Sequence, residues 1–479
     1  MDDGVIFRAG TMPDTKLILN PAAPLDSARE FIRRYHRAQN MRTLHHQNGT
    51  FYTWHGSHYR ECPPEKIRAD IWQFLDTTFC IVDEKPKPFN PNRTRVANVL
   101  EGVAAEAQLA TDQTAPVWLD ARHATPPGEL IAAANGLLHL PSRKLLTHTP
   151  ALFAMNALAF NYDPNAQAPL EWLNFLNSLW PDDKESIGTL QEIFGLLLTG
   201  ETRHQKMFLI VGPKRSGKGT IARVLTALLG QANVCGPTLS SISQNFGLAP
   251  LIGKRLAVIS DARLSGKADQ QVIVERLLAI TGEDSLTIDR KFREPWTGRL
   301  ETRFLILTNE VPKLADASGA LASRFITLIL RQSFYSKEDH AMTDKLTAEM
   351  PGILKWAIDG WERLAKRRFL VTPASAKAVQ QEMEDLGSPI GAFIRQRCVV
   401  EPGAGVPCAD LYGAWSDWCR DQNRDHVGTV QDFGTKVRAA VPGLKTANHR
   451  LKPPQEGRVR CYEGIRMKTP TEREKDDQG

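Results

Sequence analysis

The segment Gly212-Pro213-Lys214-Arg215-Ser216-Gly217-Lys218 sets two glycines around a short loop and ends it in a lysine, the GxxxxGK pattern. In such a loop backbone N–H groups wrap a phosphate chain and the ammonium reaches its outer phosphates, so the expected ligand is ATP with Mg2+. The pattern wants Ser or Thr directly after the lysine to supply a hydroxyl to Mg2+. Here Gly219 stands there and Thr220 follows, which puts that metal ligand in question. A second run, Arg255 to Ser260, ends in Asp261; an acid at the carboxyl end of a neighbouring strand can hold Mg2+ or its waters. Thr220 and Asp261 are therefore the candidate metal residues. Ala262 follows Asp261, so either Asp261 also polarises the attacking water or a distant acid such as Glu275 or Glu283 helps. A third run, Arg303 to Thr308, ends at Asn309, whose amide would touch the γ-phosphate or orient water if its strand lies between the other two. An Asn at a strand end is otherwise a turn former.

These residues need a particular frame. Phe208 to Val211 is short and unbroken in its apolar character, as a strand covered on both faces of a parallel sheet is. Ile221, Val224, Leu225 and Leu228 then recur at helical spacing. Gln271 to Ile280 reads as a helix and Ser285 to Arg299 as a basic hairpin. The expected fold class is α/β, with a P-loop core. Its predicted parts are an α+β region over 1–130, a helical segment over 131–200, the ATPase core over 201–368, a winged-helix-like domain over 385–468 and a disordered tail over 469–479. Before the core, Ser27 to Arg37, Pro64 to Phe79 and Val96 to Ala110 look helical, with two short aromatic strands around His55 to His58.

The 479 residues allow roughly three domains. A hydrophobic share of 42% and a charged share of 24% are those of a globular protein. No run approaches the roughly 18 apolar residues of a membrane span and the start lacks a signal-peptide pattern, so the expected location is cytoplasmic, with no membrane partner. Seven cysteines without a CxxC spacing fit a reducing compartment. His55, His58 and Cys62 lack a second zinc half-site and read as a polar turn. The net charge of +6 leans toward an anionic partner.

After Asn309 comes Ser318-Gly319-Ala320-Leu321-Ala322-Ser323-Arg324-Phe325. The order of phosphate loop, acidic strand end, basic hairpin, Asn-terminated strand and this segment resembles the superfamily 3 helicases, in the phage and plasmid primase-helicase group that includes the poxvirus primase-helicase. The resemblance runs from about Asn135 to Arg397. It includes Asn135-Gly136, Asn161-Tyr162-Asp163-Pro164, Leu190-Gln191-Glu192, Thr199 to Thr202, Gly352 to Ala357, and Gly360.

The resemblance implies an AAA+ core assembled as a ring, usually a hexamer, with ATP between subunits and single-stranded DNA in the channel. Lys218 and Thr220 then belong to the ATP loop, Asp261 to the Mg2+ motif, Asn309 to the sensor and Arg324 to a finger acting on the neighbour's ATP. Asp289-Arg290-Lys291-Phe292 resembles the channel hairpin of papillomavirus-type helicases, with Phe292 where a His stands there. Cations beside a ring suit a moving single strand: Arg290 or Lys291 on phosphate, Phe292 against a sugar or base.

Primase chemistry needs clustered acids, and no such pair stands out; priming is expected from a separate polypeptide. In the tail, Lys436, Arg438, Lys445, Arg450 and Lys452 would meet phosphates of DNA at the replication fork. Two other readings stay open: an ATP-dependent DNA-binding initiator or switch without unwinding, and a nucleoside monophosphate kinase, whose loops also end GKGT.

Overall fold

The computed structural model describes residues 17–111, 113–260, 269–291, 293–312, 320–337, 339–424, 427–450 and 458–476. Two compact units divide between Tyr162 and Asp163. Among the described residues no helix is long and apolar enough to cross a membrane.

In the first unit, helices Pro24–Tyr35, Pro64–Asp76 and Arg93–Glu106 bury Phe31, Ile67, Phe74, Val96 and Val103 in one core. The aromatic strands Thr50–Trp54 and Tyr59–Cys62 pair antiparallel, and Leu44–Gln47 adds a third. The segment expected to be helical over 131–200 is different. Leu130–Ala133, Gly136–His139 and Lys144–Leu146 form an antiparallel sheet, and helix begins only at Leu170. The reason is local: Ala134-Asn135 turns one apolar strand back on the next, with Ala133 opposite Gly136. The Asn135 amide then donates to Tyr162 O and accepts from Tyr162 N, both at 2.9 Å. Two separated pieces of the resemblance thus meet in one structural tie.

The second unit opens with α1 (Leu170–Leu179) and α2 (Lys184–Leu198). Next come β1 (Met207–Val211), α3 (Lys218–Leu229), β2 (Val234–Cys235), β3 (Leu256–Ile259), α4 (Gln270–Thr281), β4 (Arg303–Thr308) and β5 (Phe325–Ile329). All five strands are parallel, in the order β2-β3-β4-β1-β5. Every residue of β1 and β4 is buried, so these strands carry apolar runs without alternation. The strand ending at Asn309 does lie between the other two.

Behind the sheet come α5 (Met342–Ala348) and α6 (Met350–Arg367). Helix α6 packs on α2 so closely that a Cβ at Gly360 would stand 2.2 Å from Gln191 O, and one at Gly195 would stand 2.4 Å from Ala357 O. Glu192, 2% exposed in its side chain, binds Arg363 at 2.7 Å and also Arg367. The Leu190-Gln191-Glu192 and Gly352 to Gly360 pieces are therefore packing elements.

The C-terminal part sets helices Pro389–Arg397, Cys408–Asp421 and Val430–Ala440 on an antiparallel sheet of Cys398–Pro407, Arg458–Met467 and Lys445–Arg450. Phe393, Trp415, Trp418 and Phe433 form its core. The tail expected to be disordered over 469–479 instead forms a helix at Pro470–Asp476. Its start is capped: Thr469 N donates to the Glu472 carboxylate at 2.8 Å, and Glu472 N to Thr469 Oγ1 at 3.4 Å. Arg466 grips the same carboxylate with two N–H groups, each at 2.9 Å.

Candidate nucleotide-binding site

At the carboxyl edge of the sheet, Gly212 N donates to Thr308 O at 3.2 Å, which ties the loop to β4. A Cβ at Gly212 would lie 2.7 Å from Leu330 O, so the turn requires glycine. Arg215 (φ 58°) and Gly217 (φ 92°) are left-handed, which turns successive N–H groups toward one concavity. Gly217 is also the residue from which α3 starts, so the loop empties onto a helix N-terminus. Ser216 is buried inside the turn, while Lys214 and Arg215 are exposed. The carbonyls of Lys214 and Arg215 accept from Ser333 Oγ at 2.8 Å and Phe334 N at 2.9 Å, which brace the loop from outside.

Lys218 Nζ donates to Gly212 O at 2.7 Å, Pro213 O at 2.8 Å, Ser216 Oγ at 3.2 Å and Asn309 Oδ1 at 3.1 Å. The loop lysine and the Asn beyond β4, 91 positions apart in sequence, thus meet. Burial holds the ammonium below its ordinary range. Neutral oxygens hold it, and an anionic phosphate oxygen is the stronger partner. The cradle fits a polyphosphate.

The fit to Mg2+ is less complete. Gly219 offers no oxygen, and Thr220 Oγ1 accepts from Arg223 Nη2 at 3.0 Å. Asp261 lies outside the described residues; β3 stops at Ile259, opposite Ile306 of β4, and so runs out toward the same edge. Glu283 stands away from the loop. Its carboxylate binds Thr202 Oγ1 at the other end of the sheet, because α4 carries the chain back across one face before residue 283. Glu275 is exposed midway along that helix.

Next to the loop a cavity of about 560 Å³ is lined by Leu179, Trp180, Asp183, Ile329, Arg331 and Ser375. It shares a wall with the loop, since a Cβ at Gly217 would touch Leu179 Cδ2 at 2.9 Å. Trp180 Nε1 donates to Ile329 O at 2.7 Å. Burial pushes the Asp183 carboxyl up, but hydrogen bonds from Ser186 and Ser375, with the Arg331 charge, hold it below its usual value. The sequence reading missed this cavity. Its walls come from three separate stretches with no shared pattern.

The amino edge of the same sheet is built differently. Arg324 ends the helix Ala320–Arg324 and precedes Phe325, which pairs with Met207. Its guanidinium binds the side chain of Gln205, and Lys206 Nζ donates to Ser323 O at 2.5 Å. At about 3.3 Å per residue, β1 separates Arg324 from the loop by on the order of 15–20 Å. Nearby, Arg303 is 3% exposed, and burial pulls it down to about 10 against the opposing pull of Glu283 and Glu301. Arg255 joins Glu301 at 2.9 Å.

The predicted hairpin is present as Leu286–Arg290 and Arg293–Gly298, with Thr287 and Thr297 hydroxyls 3.1 Å apart. Ile288 and Trp296 root it in the sheet's core, and Lys291 at its turn is exposed. Phe292 lies outside the described residues. In the C-terminal part, Lys436 is held by Asp432 at 2.8 Å, Lys445 stands opposite Glu463 and Arg450 opposite Arg458. Arg438 lies beside Gly434 near the Tyr462 hydroxyl, and Lys452 is outside the described residues.

A glycine loop at the carboxyl edge of a parallel α/β sheet, with a lysine and an asparagine converging on it, defines this class of site. Residues 29–181 match the family described as D5 N terminal like, and residues 210–324 match a family of unknown function, DUF5906. The first match covers about a third of the chain, so the likeness is to that domain over residues 29–181 alone. Two solved structures of the NrS-1 C-terminal region, both apo and one in an A form, are similar in fold, with TM-scores of 0.51 and 0.50 at 11% identity. Each likeness covers 92% of this chain and 99% of the other.

Proposed function

We propose that this chain is an ATP-dependent DNA helicase of superfamily 3, serving replication of a phage, prophage or plasmid and moving on single-stranded DNA as a homo-hexameric ring. The observation that carries the reading is the pair of opposite positions held by Lys218 with Asn309 and by Arg324. A cation that far from its own loop can act on ATP only across a subunit boundary, as a ring provides. The strand order, with β4 between the loop strand and the strand leading to Asp261, supports an AAA+ core. Three helices on a three-stranded antiparallel sheet support a C-terminal winged helix. The D5-like match supports a replication role.

In this reading Lys218 offsets γ-phosphate charge, Asn309 orients the attacking water, and the neighbour's Arg324 stabilises the charge that develops on transfer. Mg2+, when bound, would neutralise the outer phosphates, with Asp261 and Thr220 the residues to hold it or its waters. The base fits the cavity beside Trp180. Arg290, Lys291 and Phe292 follow the DNA strand, and a separate polypeptide supplies priming.

The test is Lys291→Ala, a change on an exposed turn away from the nucleotide loop. It should keep basal ATP turnover and ring assembly but lose unwinding and most stimulation by single-stranded DNA. The salt dependence of DNA binding should fall by roughly one counterion per lost contact. Unwinding at wild-type speed in this variant would remove the hairpin from the mechanism. An initiator that uses ATP only to assemble would bind DNA without unwinding it in the same assay.

A further inference from the structure

Side chains on a helix lean toward its N-terminus, so the residue four places on covers the first turn. Arg223 stands four places after Gly219, the position where the loop pattern has its hydroxyl. Its Nη1 would be 3.4 Å from a Cβ placed on Gly219, and apart from the adjoining residues and the backbone of the helix itself nothing else lies within 4 Å of that point. Its Nη2 donates to Thr220 Oγ1 at 3.0 Å, and its Nε donates to Thr343 Oγ1 on α5 at 3.0 Å. The guanidinium is thus fixed from two sides on the first turn of α3, beside the space left by the missing side chain. Arg223 is exposed on this face. A guanidinium has five N–H groups, and these two bonds use two of them.

We infer that Arg223 is a phosphate-binding residue that meets the inner phosphates of a nucleoside triphosphate, in the space that Gly219 leaves open. This rests on the nucleotide reading of the Gly212 to Lys218 loop. A planar, permanently charged group suits this task, because it presents parallel N–H donors to phosphate oxygens and depends on no metal. Nucleotide affinity in this chain accordingly depends less on Mg2+ than in a loop whose Ser or Thr binds the metal directly. A purely structural Arg223 would only tie α3 to α5 through Thr343.

The two roles separate in a titration of a fluorescent ATP analogue, followed by anisotropy in Mg2+ and again in EDTA. The wild-type chain should keep binding in EDTA. Arg223→Ala should weaken binding there by about tenfold, as loss of a charged hydrogen bond does, and by less in Mg2+. Arg223→Lys should recover part of the loss, and Thr343→Ala should bind as wild type. Gly219→Ser added to Arg223→Ala should restore binding in Mg2+ but not in EDTA. Wild-type affinity of Arg223→Ala in EDTA overturns the inference, as does an equal loss in Thr343→Ala. If the nucleotide reading itself is wrong, wild type and Lys218→Ala will both fail to bind, a result distinct from either.

Discussion

The two edges of the parallel sheet use the same strands for opposite purposes. At the carboxyl edge, β1 and β4 end in a glycine turn and an asparagine, and Lys218 is held there by neutral oxygens of the loop and of Asn309. At the amino edge, the strands begin among ionised side chains that answer one another: Arg255 with Glu301, and Arg303 among Glu283, Glu301 and Glu201. Charge facing neutral atoms is ready for an anion, whereas charge facing opposite charge is committed to the fold. Arg324 and Lys206 are exceptions at the amino edge, since the guanidinium binds the neutral amide of Gln205 and the ammonium donates to Ser323 O.

The comparison breaks first if the carboxyl edge is not the reactive one. Lys218→Ala should lose ATP binding and abolish turnover, since the ammonium that reaches both the loop oxygens and Asn309 is gone; steady-state turnover at the wild-type rate would refute the loop assignment. Arg324→Ala should bind ATP normally yet turn it over about 100-fold more slowly. Mixed with Lys218→Ala it should regain activity at shared interfaces. Subunit exchange without recovery would mean that Arg324 does not act in trans.

The amino edge should respond in stability instead. Arg303→Met removes a buried cation from among the part-buried carboxylates of Glu201, Glu283 and Glu301 and should cost about 2 kcal/mol, seen as a lower Tm, with nucleotide affinity retained below that temperature. An unchanged Tm would show that the edge is not held by charge. Within the loop two glycines should differ. Gly212→Ala drives a Cβ against the Leu330 backbone and should cost about 2 kcal/mol, whereas Gly219→Ala meets only the end of Arg223 and should stay within about 0.5 kcal/mol of wild type or gain from helix propensity. Equal denaturant midpoints for the two would mean that the loop relaxes more than its geometry suggests.

The smallest effect is a proton. Burial sets the Lys218 ammonium below its value of 10.5 in an unfolded chain, so its contribution to stability is present above that value and is lost as pH falls through the lowered one. Bound phosphate favours the ammonium and raises the lowered value again. ATP binding should therefore take up protons in alkaline buffer and none near neutrality, as calorimetry in buffers of different ionisation enthalpy would show. Uptake that persists in Lys218→Arg would assign the proton to another group.

Much of this site was readable from local pattern. The strand, loop and helix around Lys218 declared themselves through an unbroken apolar run, bracketing glycines and helical spacing, and β4 was found to the residue. What failed to show depends on distant partners. The strands over 131–153 were masked by a helical expectation carried back from Leu170 onward, and the capped helix at 470–476 was hidden by its charge. Arg223 could have been found from its spacing to Gly219, but the cavity at Trp180, Arg331 and Ser375 could not.

The sequence alone determined where the glycine loop stands, which runs are buried strands, and that Asn309 follows one of them, because glycine conformation and apolar continuity act over a few residues. Only the tertiary structure decided that Asn309 lies against Lys218 while Arg324 and Glu283 lie at the far end of the same strands. Strand order and register arise from burying both faces of a sheet whose neighbours are up to 118 residues apart, as Met207 and Phe325 are, and no local pattern of side chains encodes which end of a strand meets which.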